Sequence, residues 1–126
     1  MAWKFNSSVP IYLQIADRVM TDIIGGRYPA GARLPSVREL GFEAGVNPNT
    51  VQRAMTELEK RGAVTALMGD GRYVTDNESS IVEFRSRTAK EATEEFIKKM
   101  LLLQIDRSTA EELLHEAFTK YTSKED

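Results

Sequence analysis

Apolar residues recur at helical spacing from Pro10 to Ile24. Ile11, Ile15, Val19 and Ile23 form one stripe, widened by Tyr12, Ala16 and Met20, which predicts an amphipathic helix. Pro10 suits a first helical turn, where its missing N–H costs nothing, and Gly25-Gly26 end the run. A proline- and glycine-containing connector, residues 27–35, reads as irregular. Ser36 opens a second helix. With Glu39 it spells a capping box, Leu40 and Ala44 face inward, and Gly45 stops the helix. Asn47 is an N-cap with Pro48 behind it, and Val51, Ala54, Met55 and Leu58 make the buried stripe of a third helix that closes at Gly62.

The period then changes. Residues 63–68 and 72–75 are short strand candidates about Gly69-Asp70-Gly71, a tight turn. Residues 76–80 are polar and read as a linker. A fourth helix is expected from Arg87 to Leu103, with Ala89, Ala92, Phe96, Met100 and Leu103 on one face. Residues 106–108 break it. Ser108 and Glu111 then spell a second capping box, and Leu113, Leu114, Ala117, Phe118 and Tyr121 stripe a last helix. The predicted fold class is mainly α with a small β-wing. Residues 1–76 form a winged helix-turn-helix, and residues 77–126 form a short two-helix dimerisation segment.

A helix-turn-helix implies DNA, because its second helix is shaped to enter the major groove with its N-terminal residues against base edges. Asn47, Asn49, Thr50, Gln52 and Arg53 stand at that end. Gln pairs bidentately with adenine and Arg with guanine, while Thr hydroxyls and backbone N–H groups suit phosphates. Arg38 starts the preceding helix and is placed to reach a phosphate or a base edge. Arg72 beside the wing turn is a candidate for the minor groove or a backbone, and Gly69 would let the wing approach closely. Asn47 and Glu39 also have capping roles, and Arg53 has Glu57 as a possible i+4 partner.

The net charge of −2 argues against nucleic acid until the chain is divided. Residues 1–75 carry nine Lys/Arg against seven Asp/Glu, whereas residues 76–126 carry eight against twelve. The basic excess lies with the helix-turn-helix, but it is small and must be concentrated on one face. The lack of cysteine excludes thiol chemistry and disulfides, and His115, the one histidine, cannot build a His-rich metal site. No nucleophile turn or cofactor loop stands out, so neither enzyme activity nor a cofactor or metal is expected. There is no apolar run of membrane-spanning length and no signal-like start, which predicts a cytoplasmic protein.

The run Leu34–Leu40, the turn and helix start Gly45–Val51, then Gly62 and the wing ending Tyr73-Val74 resemble the GntR family of bacterial transcription regulators. Pro10–Ile15 and the Asn-Pro-Asn-Thr turn resemble its YtrA-like subgroup. The likeness covers residues from about 5 to 75. It implies a homodimer on a palindromic operator, usually as a repressor, with DNA contacts on Arg38, Asn47, Asn49, Thr50, Gln52 and Gly69. Many relatives carry arginine where this chain has Pro48, which shifts base readout here toward Asn49, Gln52 and Arg53. The subgroup further implies control of a transporter operon.

Two short helices cannot bury a core of their own. Their stripe, including Phe96, Met100, Leu103, Leu114 and Phe118, is therefore expected to form a dimer interface, the alternative being packing on the same chain. The segment also leaves room for an unidentified small-molecule effector, between these helices or at their junction with the DNA-binding part, although no convergent polar group picks one out. The acidic total charge also keeps open a second function, a winged helix serving as an interaction or architectural module without sequence-specific DNA binding.

Overall fold

The computed structural model describes residues 2–67 and 69–123, so the Met68 end of the first strand candidate lies outside the described residues. The elements run α1 (Ile11–Ile24), α2 (Val37–Ala44), α3 (Pro48–Lys60), β1 (Val64–Leu67), β2 (Gly71–Val74), α4 (Glu78–Leu102) and α5 (Arg107–Thr122). The chain divides within α4 into two units, residues 1–85 and 86–126.

In the first unit, α1 supplies Ile15, Val19 and Ile23 to the core, and α3 supplies Val51, Ala54, Met55 and Leu58. Ile11, at the helix mouth, is exposed. The strands pair antiparallel, Val64 opposite Val74 and Leu67 opposite Gly71. Side chains alternate along a strand, so the wing buries Val64 and Val74 and leaves its outer end to solvent. The connector is tied to the wing by an isolated bridge between Arg33 and Tyr73.

The caps that orient the helix-turn-helix are in place. Ser36 Oγ accepts from the Glu39 N–H at 3.1 Å, and the Glu39 carboxylate accepts from the Ser36 N–H at 2.9 Å. Between the helices Gly45 takes the left-handed conformation at φ +75°, and a Cβ there would lie 2.6 Å from the Ala2 side chain. The N-terminal residues therefore pack against the turn. The Trp3 N–H donates to the Ala44 carbonyl at 3.1 Å, and Arg18 stacks over the Trp3 ring at 4.5 Å. Ser36→Ala is expected to lower stability by about 1 kcal/mol in urea unfolding near neutral pH. The Ser36 N–H bond, then its hydroxyl, hold the Glu39 carboxyl below the usual glutamate range. Folding depresses this pKa, so Glu39's contribution is present above the ordinary glutamate pKa and lost as pH falls through the folded value.

Two boundaries differ from the sequence reading. The stretch 76–80 is not a linker throughout, because α4 begins at Glu78 rather than Arg87. Asn77 Oδ1 accepts from the Ser79 N–H at 3.1 Å and from its hydroxyl at 2.6 Å, and Ile81 and Phe84 enter the core behind it. Likewise α5 starts at Arg107, capped by Asp106 and not by Ser108. The Asp106 carboxylate accepts from the Thr109 N–H at 2.9 Å, which lowers its pKa.

In the second unit, α4 turns into α5 through Gln104 at φ +62°, where the Ile105 N–H closes on the Met100 carbonyl at 2.9 Å. Among its described residues only Ala110 is buried.

Candidate nucleic-acid interface

The face of α3 opposite its buried stripe is set by the 100° step of the helix. Asn49, Gln52, Arg53, Thr56 and Lys60 all project away from the core, and Asn49, Gln52, Arg53 and Thr56 are exposed while Lys60 is exposed at the last turn. Asn47 and Pro48 are exposed as well, and Thr50 is half-buried. The leading end of the helix is thus uncovered. Asn47 Oδ1 caps the helix by accepting from the Asn49 N–H at 2.8 Å, which leaves its amide N–H groups for a partner.

Arg53 does not pair with Glu57. That carboxylate is taken by Arg61 at 3.0 Å, and Arg61 also reaches Asp17 at 2.9 Å. The Arg53 guanidinium instead lies over the Tyr12 ring, 4.1 Å from its centroid. Arg38 is exposed on the first turn of α2. Gly69 takes φ +76° at the wing turn with open space where a Cβ would stand, so its backbone is approachable.

Arg72 is placed differently from the expectation. It shares a strand face with Val74, two residues on, and that face turns inward. Its guanidinium meets Glu59 of α3 at 3.8 Å with only 19% of the side chain exposed, and its Nε is buried without a hydrogen-bond partner. It therefore braces the wing against α3 instead of reaching out beside the turn. The residue that the sequence reading passed over is Arg33. Its guanidinium lies across Gly71, within 3.3 Å of where a Cβ would stand, and the side chain is exposed. Arg33, Ser36 and Gly71 line a cleft of about 630 Å³ that brings the start of α2 beside the turn end of the wing. An arginine immediately before the Leu-Pro-Ser run was the available signal.

The arginines and lysines of this unit divide into paired and unpaired groups. Arg18, Arg27, Arg61 and Arg72 are each spent on carboxylates of the same unit. Arg33, Arg38, Arg53 and Lys60 have no ion pair among the described residues. The free positive charge of the helix-turn-helix and wing thus gathers at the start of α2, beside the turn end of the wing and on the outer face of α3. That is where a helix-turn-helix meets phosphates and base edges. Among the described residues no group of His, Asp or Glu is arranged to hold a metal ion.

Comparison with known proteins agrees with this geometry. The family described as bacterial regulatory proteins, gntR family, matches residues 11–74. The HTH-type transcriptional regulator YhcF of Bacillus subtilis is 38% identical over 111 residues, covering 88% of this chain and 89% of its own length. The HTH-type transcriptional repressor YtrA of the same organism is 39% identical over 93 residues, covering 73% and 72%. A solved GntR family transcriptional regulator from Listeria monocytogenes superposes with a TM-score of 0.82 at 38% identity, over 89% of this chain and 98% of the other.

Proposed function

Because the chain belongs to the gntR family of bacterial regulatory proteins, and is a DNA-binding transcription regulator rather than an enzyme, we propose that it acts as a homodimeric repressor on a palindromic operator. One observation carries this reading. The uncovered end of α3 lies in a unit whose arginines without ion pairs, Arg33, Arg38 and Arg53, flank the same motif. Asn49, Gln52 and Arg53 read bases, with Asn47 and Thr50 beside them, while Arg38, Arg33 and the Gly69 backbone meet phosphates. Arg72 makes no DNA contact in this proposal, since its charge is met by Glu59. Repression is supported by the likeness to YtrA, which is named a repressor. Control of a transporter operon rests on the YtrA-like resemblance alone.

Residues 1–76 form the DNA-binding part in this proposal, and residues 77–126 join two copies. Phe96 and Met100 are half-buried, and Leu103, Leu114 and Phe118 are 60%, 44% and 63% exposed. With them, Leu101, Leu102 and Tyr121 leave more apolar surface in water than a short helical pair sustains alone. Between α4 and α5 runs a groove of about 420 Å³ lined by Phe96, Ile97, Met100, Leu101, Ile105 and Leu114. Of the charged residues that also line it, Arg107 and Glu111 are paired with each other at 3.0 Å and the Asp106 carboxylate caps α5. Its wall is therefore mainly apolar, with its charged groups already partnered, and fits a second copy better than a polar effector. No helix among the described residues is long and apolar enough to cross a membrane. We place the protein in the cytoplasm, with the DNA it reads.

The test is a binding titration against the DNA immediately upstream of the gene, at several salt concentrations. Arg38→Ala and Arg33→Ala should each weaken binding across sequences and reduce the salt slope by about one for each phosphate no longer neutralised. Arg72→Ala should leave that slope unchanged. A slope that responds to Arg72 and not to Arg33 or Arg38 would place the phosphate-binding surface elsewhere.

A further inference from the structure

We propose that Tyr12 is a positioning residue for DNA recognition: its ring holds the Arg53 guanidinium in the orientation in which α3 presents it. The proposal rests on the reading of Arg53 as part of the DNA interface. Arg53 stands one turn after Asn49 on α3, outside the buried stripe of Val51, Ala54, Met55 and Leu58. Left alone, an exposed arginine there would sample many rotamers or fall onto Glu57, its i+4 neighbour. The structure closes the second option, because Arg61 occupies Glu57 at 3.0 Å and is itself held by Asp17 of α1 at 2.9 Å. The guanidinium carbon of Arg53 instead sits 4.1 Å from the centroid of the Tyr12 ring. Tyr12 is half-buried and packed against the core, so it is a fixed surface.

The choice of a ring over a carboxylate matters chemically. A carboxylate would cancel the charge and consume the N–H donors that a base edge or phosphate needs. An aromatic face touches only the flat face of the guanidinium, leaving the charge and the in-plane donors unspent. The ring also restricts the rotamers before DNA arrives, which lowers the ordering cost of binding. Tyr12 therefore acts through Arg53 and needs no DNA contact of its own.

The experiment is a double-mutant cycle on the full chain. Binding to the DNA fragment immediately upstream of the gene is measured at one fixed salt, with thermal unfolding in parallel. Arg53→Ala should weaken binding. Tyr12→Leu should weaken it about threefold per copy, or about tenfold for two copies. Tyr12→Phe should restore wild-type affinity, and Tyr12→Leu should add nothing in the Arg53→Ala background. Pentafluorophenylalanine in place of Tyr12 keeps the ring's shape but reverses its quadrupole. It should behave like Tyr12→Leu, which answers the question even if the leucine variant folds poorly. A Tyr12→Leu loss that persists in the Arg53→Ala background, or wild-type binding by the fluorinated variant, would overturn the positioning role. Unchanged binding by Arg53→Ala would instead overturn the underlying placement of Arg53 in the interface.

Discussion

Replacing Leu114 and Phe118 together by aspartate is expected to convert the protein to a monomer and to lower operator affinity by about two orders of magnitude or more. Both side chains lie on α5 and are largely exposed in the single chain, at 44% and 63%. A charge at either position meets water in a monomer and is tolerated there. In the proposed dimer it would be buried without a partner against the apolar face of the second copy, to which Phe96 and Met100 are assigned, and the assembly is penalised. The loss in DNA binding follows from linkage. Two joined winged helices bind the second half-site intramolecularly, an advantage of about 10²–10⁴ that disappears when the copies separate. The winged helix keeps its own core, to which neither residue belongs. Light scattering should therefore give a monomer mass while circular dichroism still shows a folded protein. A variant that remains dimeric with undiminished affinity would show that the copies meet through another surface.

The second large effect is on stability. Leu58 of α3 is fully buried in the core formed with α1 and the wing. Leu58→Ala removes its transfer energy and leaves a cavity, which should cost about 2–5 kcal/mol. For a unit of this size that amounts to a fall in midpoint temperature of roughly 10 °C or more, read by calorimetry. Phe42 makes the contrast. It is the larger side chain but is 92% exposed on α2, so Phe42→Ala should change stability by no more than about 0.5 kcal/mol. A comparable loss from both substitutions would contradict the assignment of the core.

The helix-turn-helix was legible because its signals are local. Ser36 with Glu39, and Asn47 with Pro48, each name a helix start within four residues, and the caps form as spelled. The stripe of α3 was readable for the same reason. The start of α4 was not. Asn77, Glu78, Ser79 and Ser80 have the composition of a linker, yet asparagine and serine are also what a helix N-terminus uses. What decides between the two is the tertiary anchorage of Ile81 and Phe84, which composition does not report. At α5 two capping residues competed, and the carboxylate of Asp106 won over the hydroxyl of Ser108.

The site divides along the same line. Residues on the outward face of α3 could be placed by helical spacing alone. Proximity to the turn points Arg72 toward DNA, whereas strand alternation puts it on the face of the buried Val74, where Glu59 meets its charge. The position of Arg33 across Gly71 is not legible in the sequence, because it depends on the connector folding back to bridge Tyr73. Nor was the stacking of Arg53 on Tyr12 readable, since it joins residues of two helices brought together only by the packed core.

Nuclease protection of the upstream DNA, titrated with the full-length protein in the presence of competitor DNA, tests the central claim most directly. Paired copies, each offering the bare end of α3, should protect one discrete stretch with two-fold symmetry. Its two halves should be spaced by about one helical turn of DNA or a multiple of it, and they should fade together as salt rises. Uniform coating of all sequences, or protection of a single unrepeated half, would contradict it.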